Sequence, residues 1–206
     1  MSVQRREGRS FQRPLLGLLT LCLGSAQTLA GPQAQTAGNP RLDQAMMRVE
    51  IPAGSAVKYE FDQDGVLFVD RFLPGNEVYP ANYGGLPGTL AGDGDPLDAL
   101  VITRSPLLPG AHIRFRPLGV LYMRDGGARD EKMIGVPVDA VDADMAGLRD
   151  ISDLPLSQRQ RLAAFFAGYK LQPDGSNPVR IAGWGDAAQA RTLLQQAIAA
   201  ASQPAD

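Results

Sequence analysis

Two residue types that carry much of enzyme chemistry are nearly missing from this chain. Its 206 residues include one cysteine, Cys22, and one histidine, His112. A zinc site of the Cys/His kind needs several such ligands and is therefore excluded. A Cys–His nucleophile pair is excluded too, because Cys22 lies in a segment that reads as a leader to be removed. A serine triad would have to use His112 as its base, and no Gly-x-Ser-x-Gly elbow is present. Aromatic residues are only 6% of the chain, too few to suggest a stacking platform for bases or sugars. A basic block is also lacking. Lys+Arg total 20 against 22 Asp+Glu, for a net charge of −2, which argues against nucleic acid as a partner.

What is present begins with the leader. Arg5, Arg6, Arg9 and Arg13 form a positive start, Leu15 to Leu23 a short apolar core, and small residues follow. This is the pattern of a secretory signal over residues 1–30, with Gly24-Ser25-Ala26 or Thr28-Leu29-Ala30 as cleavage sites. The apolar core is too short to span a membrane, so no membrane association is expected after removal. The expected location is outside the cytoplasm, the periplasm if the source is Gram-negative, with the cytoplasm as the alternative. Residues 31–45 read as a flexible lead-in and residues 46–206 as one domain, with 44% hydrophobic residues to build its core.

The pattern in that domain is β-rich. Strands are predicted at Met47 to Ile51, Val57 to Phe61, Val66 to Asp70 and Lys132 to Val136, and one or two between Ile113 and Met123, broken at Pro117-Leu118-Gly119. Gln63-Asp64-Gly65 makes the second and third a hairpin. The Pro- and Gly-rich section Leu73 to Gly92 reads mostly as loop. Two helices follow. Residues 155–170 place Leu162, Phe165, Phe166 and Tyr169 at helical spacing, with Asp153 as a cap. Asp186-Ala-Ala-Gln189 opens the second as a capping box. Short strands followed by two helices suggest an α+β domain: a small twisted β-barrel with helices packed outside.

The chemistry centres on Asp93-Gly94-Asp95-Pro96-Leu97-Asp98. Three carboxylates in six positions, with Gly and Pro enforcing a turn, precede an apolar run from Ala99 to Ile102 that reads as a buried strand. Carboxylates held so close repel one another unless a cation neutralises them, and oxygen ligands without His or Cys suit Mg²⁺ or Mn²⁺. An ordinary solvated turn has the same local pattern. A calcium loop of the EF-hand kind does not fit, because Leu97 and Asp98 stand where it needs an Asp or Asn and a Gly.

Other charged patches accompany this turn. Lys58 and Glu60 share a strand face, with Glu50 upstream. Asp125, Asp130 and Lys132 surround a Gly-rich turn. Tyr169-Lys170 ends the first helix, and Arg71, Tyr79 and Tyr83 punctuate the preceding loop. Each patch alone is compatible with a solvated face. Carboxylates for hard ions together with Lys, Arg and Tyr donors for oxyanions form the equipment of phosphoryl transfer to water.

The hexapeptide resembles the signature of soluble family I inorganic pyrophosphatases. The resemblance extends in family order through Glu50-Ile-Pro-Ala, Lys58-Tyr59-Glu60, Val69-Asp70-Arg71-Phe72, Tyr79-Pro-Ala-Asn-Tyr83-Gly84, Pro117-Leu118-Gly119-Val120-Leu121, Phe165-Phe166-x-x-Tyr169-Lys170 and Gly183-Trp184. It implies a five-stranded OB-like β-barrel with two flanking α-helices, and Mg²⁺-dependent hydrolysis of pyrophosphate with several ions per site, Mn²⁺ or Zn²⁺ being substitutes. By position it implies that Asp93, Asp98 and Asp130 hold the tightest ions and that Asp125 holds ions arriving with substrate. Glu50 and Glu60 would act through ordered water. Asp95 would be the base, and Tyr83 a phenol beside the nucleophile. Lys58, Arg71, Lys132, Tyr169 and Lys170 would hold the phosphates, with Tyr79 in the pocket. It also implies a homo-oligomer, since bacterial relatives are often hexamers. The chain departs from many bacterial members at Gly85, where they carry an aromatic, at Gly126, where they carry an acid, and in a Glu50–Lys58 spacing one residue short. A non-catalytic β-barrel that binds metal–phosphate complexes is the alternative reading of the same residues.

Overall fold

The structure, a computed structural model, describes residues 42–203. The expected leader, and most of the expected lead-in, lie outside the described residues. Among the described residues no helix is long and apolar enough to cross a membrane.

Five strands form a hydrogen-bonded ring. β1 (Ala45–Ile51) pairs with β4 (Asn82–Gly85), which pairs with β5 (Asp98–Val101), all antiparallel. β5 runs parallel to β8 (Lys132–Pro137), β8 pairs antiparallel with β6 (His112–Asp125), and β6 returns antiparallel to β1. β7 (Ala128–Arg129) and β9 (Val179–Gly185) extend β6. β2 (Val57–Phe61) and β3 (Leu67–Phe72) form a separate two-stranded sheet. Two helices, α1 (Leu156–Gly168) and α2 (Ala187–Ala201), complete the architecture.

The apolar residues divide by strand period. On β5, Ala99 and Val101 join one buried cluster with Met47, Phe115 and Leu194 of α2. Leu100 points the other way, into a cluster with Ile134, Phe165 and Phe166 of α1. β5 and β8 are thus covered on both faces, which explains why Lys132 to Pro137 contains no exposed position. Two strands buried this way fix the residues at their N-terminal ends, Asp98 and Lys132.

Local chemistry accounts for the elements, including those that differ from expectation. The Asp64-Gly65 hairpin forms, with Gly65 at positive φ. α2 starts as a reciprocal capping box, the Gln189 N–H donating to Asp186 Oδ1 at 2.8 Å and the Asp186 N–H to Gln189 Oε1 at 2.9 Å. Asp153 does not cap α1. Its carboxylate accepts from the N–H groups of Arg149 (2.8 Å) and Asp150 (2.9 Å), closing a short 3-10 turn, and Pro155 stands at the start of α1 instead. β6 is one 14-residue strand, not two; its ladder shifts register between Pro117 and Gly119, where proline supplies no N–H. β4 lies inside the section expected to be loop. It is held by Asn82, fully buried, whose Oδ1 accepts from the N–H groups of Ala53 (3.1 Å) and Leu107 (2.8 Å) while its amide donates to Thr103 Oγ1 (2.7 Å). β9 was not anticipated.

Candidate active site

One cleft of about 430 Å³ is lined by all fourteen side chains singled out from the sequence. Ring strands carry most of them at their ends. Asp98 opens β5 and stands in register between Gly85 of β4 and Lys132 of β8. Asp125 closes β6, Glu50 lies on β1, and Tyr83 on β4. Asp93 and Asp95 occupy the turn before β5. The turn is closed by the Asp95 N–H donating to Asp93 Oδ1 at 3.1 Å, and it is anchored by buried Leu97, whose N–H donates to Thr89 Oγ1 at 2.8 Å. Asp130 follows β7, after a turn in which Gly126 and Gly127 both have positive φ. An acidic side chain at position 126, φ +55, would meet open space but a strained backbone, so glycine there serves the turn.

The hairpin supplies the remaining charges. Lys58 and Arg71 face each other across β2 and β3, a like-charge pair that is unfavourable by itself. Asp70 resolves it, accepting from Lys58 Nζ at 2.9 Å and Arg71 Nη1 at 2.6 Å. Lys58 also bonds Glu60. The C-terminal end of α1 brings Tyr169 and Lys170, and the Lys170 ammonium bonds Asp125. Tyr79, Phe165 and Tyr169 stack in sequence, with ring centroids 4.8 and 5.4 Å apart, and Tyr83 lies 5.4 Å from Tyr79.

Lys132 is the electrostatic hub. Its side chain is 3% exposed, and its ammonium donates to both Asp98 and Asp130. Burial works against its charge, but the two carboxylates outweigh burial and hold the ammonium above its usual range. The acids respond in the opposite sense. Burial first, then the Asp98 carboxylate, push Glu50 up to about 7. Burial, then Asp93 and Asp98, raise Asp95. Burial and Asp98 push the Tyr83 phenol well up.

Seven carboxylates and five cations line the cleft. The residual charge is negative. Among the described residues, no three acidic, histidine or cysteine side chains converge as a closed metal cage. The donors are nonetheless oxygen atoms crowded enough to need added cations, which fits hard divalent ions. Sequence reasoning missed three residues. Arg48 lines the cleft on the same β1 face as Glu50, two positions earlier, a spacing that could have revealed it. Phe61 lies under Arg48, and Asp70 bridges Lys58 and Arg71.

Comparison with known proteins agrees with this geometry. The model of the inorganic pyrophosphatase family matches residues 47–202. The chain is 48% identical over 151 residues to the inorganic pyrophosphatase of Sulfolobus acidocaldarius, covering 73% of this chain and 87% of that protein. It is 44% identical over 166 residues to that of Pseudomonas aeruginosa, covering 80% and 94%. The crystal structure of inorganic pyrophosphatase from Thermus thermophilus superposes with a TM-score of 0.76 at 39% identity, covering 81% of this chain and 95% of that one. A chain with this cleft, matched over most of its length, belongs to the inorganic pyrophosphatase family and is a hydrolase that cleaves inorganic pyrophosphate.

Proposed function

We propose that pyrophosphate is hydrolysed to two phosphates in this cleft with Mg²⁺ as the cofactor. The observation that carries the reading is the charge inventory of the cleft, seven carboxylates against five cations, in a member of this family. A polyanion enters a net-acidic cleft only if cations come with it. In this reading Asp93, Asp98, Asp125 and Asp130 hold the ions, with Glu50 and Glu60 acting through ordered water. When bound, the ions neutralise substrate charge and make the attacking water more acidic.

The chain's own residues then do the rest. Asp95, on the turn that ends at Asp98, takes the proton of the attacking water. The Asp93-to-Asp98 turn places this carboxylate in the cleft between the groups that hold the ions, where the attacking water is generated. Lys58 and Arg71, oriented by Asp70, hold one phosphate, and Lys132, Tyr169 and Lys170 hold the other. Positive charge at the leaving oxygen stabilises the product as it forms. Tyr83 sits beside the nucleophile, and Tyr79 closes the wall behind it.

The test is phosphate release from pyrophosphate with and without Mg²⁺. Release that needs Mg²⁺, stops with a chelator and is inhibited by Ca²⁺ supports the reading, because looser Ca²⁺ coordination misplaces water. Full activity in metal-free buffer contradicts it.

Three further proposals accompany this one. The ring of five strands reads as an OB-like barrel, supported by its closed pairing. Export is supported by the positive and apolar start of the chain, and N-terminal sequencing from the native host tests it; an intact Met1 chain in the cytoplasm would contradict it. A homo-oligomer, a hexamer as in bacterial relatives, is tested by sedimentation, a monomer being the contrary result.

A further inference from the structure

We infer that Arg48, Phe61 and Gly85 form an additional subsite for a third phosphoryl group, so that linear inorganic triphosphate is a second substrate. The inference rests on the pyrophosphate reading above and extends it at one end of the same cleft.

Two adjacent glycines make the case. A Cβ on Gly84 would lie 1.9 Å from the Arg48 carbonyl oxygen, so the close approach of β4 to β1 demands glycine there. Gly85 is under no such demand. Its φ is not in the left-handed region, and a Cβ would meet Pro96 Cβ at 3.4 Å and Glu50 Oε1 at 3.8 Å, ordinary contacts. The effect of glycine at 85 is to leave the cleft wall open between β1 and the turn containing Pro96. A volume of about 430 Å³ lies in the range that accepts ligands much larger than a diphosphate.

Arg48 stands at this notch. It pairs in register with Gly85 across β1 and β4, so no neighbouring side chain covers it from that strand. Its guanidinium carbon lies 3.7 Å from the Phe61 ring centroid. The other cations of the cleft, Lys58, Arg71, Lys132 and Lys170, each hold a carboxylate. Among the described residues Arg48 forms no ion pair. Stacking uses one face of the guanidinium and leaves its in-plane N–H groups free for phosphate oxygens. Glu50 is the acidic group on the same face. A bare anion is therefore disfavoured, and an oligophosphate carrying Mg²⁺ suits the notch.

Hydrolysis there follows the same course. Water adds to a terminal phosphorus, the bond from that phosphorus to its bridging oxygen breaks, and the electron pair leaves with the diphosphate. The two protons of water end one on each product, giving hydrogen phosphate and hydrogen diphosphate. The diphosphate is then a substrate in its own right.

The experiment measures cleavage of Mg²⁺–triphosphate and of Mg²⁺–pyrophosphate, with products separated by ion chromatography. The parent, Arg48→Gln and Gly85→Tyr are compared, each checked for an unchanged Tm. Triphosphate cleavage by the parent is expected. Both variants should lose about tenfold or more in kcat/KM for triphosphate, chiefly through KM in Arg48→Gln, as loss of a charged hydrogen bond implies. Pyrophosphate kcat/KM should change far less. A parent that cleaves pyrophosphate alone overturns the subsite and leaves the pyrophosphate reading intact, as does an equal change on both substrates or on neither. A parent that cleaves neither overturns both.

Discussion

The ring strands and the β2–β3 hairpin line the same cleft, yet they are held in opposite ways. β5 and β8 bury nearly every residue between two apolar clusters, and their charged ends, Asp98 and Lys132, inherit that rigidity. The hairpin buries no residue on either strand. Val69 is 50% exposed and Phe72 is 72% exposed. A two-stranded sheet is marginal alone. Hydrogen bonds at its base tie it to the domain: the Gly54 N–H donates to the carbonyl of buried Tyr79 (2.8 Å), and the Tyr79 N–H donates to the Ser55 carbonyl (3.0 Å). The ring side therefore joins stability to chemistry, while the hairpin contributes Lys58, Glu60 and Arg71 with little share in the core. Elements of low local stability are the ones able to adjust around a ligand.

That contrast can be broken by experiment. The largest expected effect is on the ring side. Leu121, fully buried on β6 between β8 and β9, should cost about 2–5 kcal/mol when cut to Ala. At about 2–4 °C per kcal/mol this lowers Tm by roughly 4–20 °C in a thermal scan. A nearly unchanged Tm would break the contrast. On the hairpin, Arg71→Gln should lower kcat/KM for pyrophosphate on the order of a hundredfold, by the usual worth of a charged donor on a transferring phosphoryl group. Its Tm should stay put, and a fall like that of Leu121→Ala would place the hairpin in the core.

A smaller effect concerns the bracing of the helices. Asp150 accepts from the N–H of Ala187, the first residue of α2, at 2.9 Å and from that of Ser152 at 3.0 Å, and these bonds hold its carboxyl below the usual range. A depressed carboxyl stabilises above the unfolded pKa of about 3.9, and the contribution is lost as pH falls through the lower native value. Asp150→Ala should cost about 1 kcal/mol at neutral pH, with the gap from the parent narrowing in acid. Urea midpoints across pH measure it, and a gap independent of pH would mean that the charge contributes nothing. The smallest effect is Phe72→Ser, expected within about 0.5 kcal/mol by the same urea assay. A larger loss would show that the hairpin face is not free.

The parts legible in the sequence were those written in local chemistry. Asp64-Gly65 fixed a hairpin, Asp186 and Gln189 capped α2, and the Asp93–Asp98 turn announced itself by crowded carboxylates. β4 and β9 were hidden because glycines dilute their strand pattern. β4 depends on a buried Asn82 and on a glycine forced by backbone contact, neither of which produces hydrophobic periodicity. Asp153 looked like a cap for α1 because it precedes Pro155, but the turn before it took the carboxylate first. In the cleft, acids and donors were legible by type. Their mutual pairing was not, since Lys132 with Asp98 and Lys170 with Asp125 join residues 34 and 45 positions apart. Arg48 escaped notice because a single arginine on a strand looks solvated until the facing strand supplies Gly85.

The central claim is that this acidic cleft activates water through Asp95 while its neighbours hold cations. Asp95→Asn tests it most directly, with Asp98→Asn as the ligand control and phosphate release from pyrophosphate followed as Mg²⁺ is raised to saturation. Asn keeps the size and one oxygen of Asp95 but takes no proton near neutral pH. The account predicts a rate lower by about 10²–10⁴ that saturating Mg²⁺ does not restore. Near-parental rate recovered by Mg²⁺ alone would contradict it and make Asp95 a holder of cations.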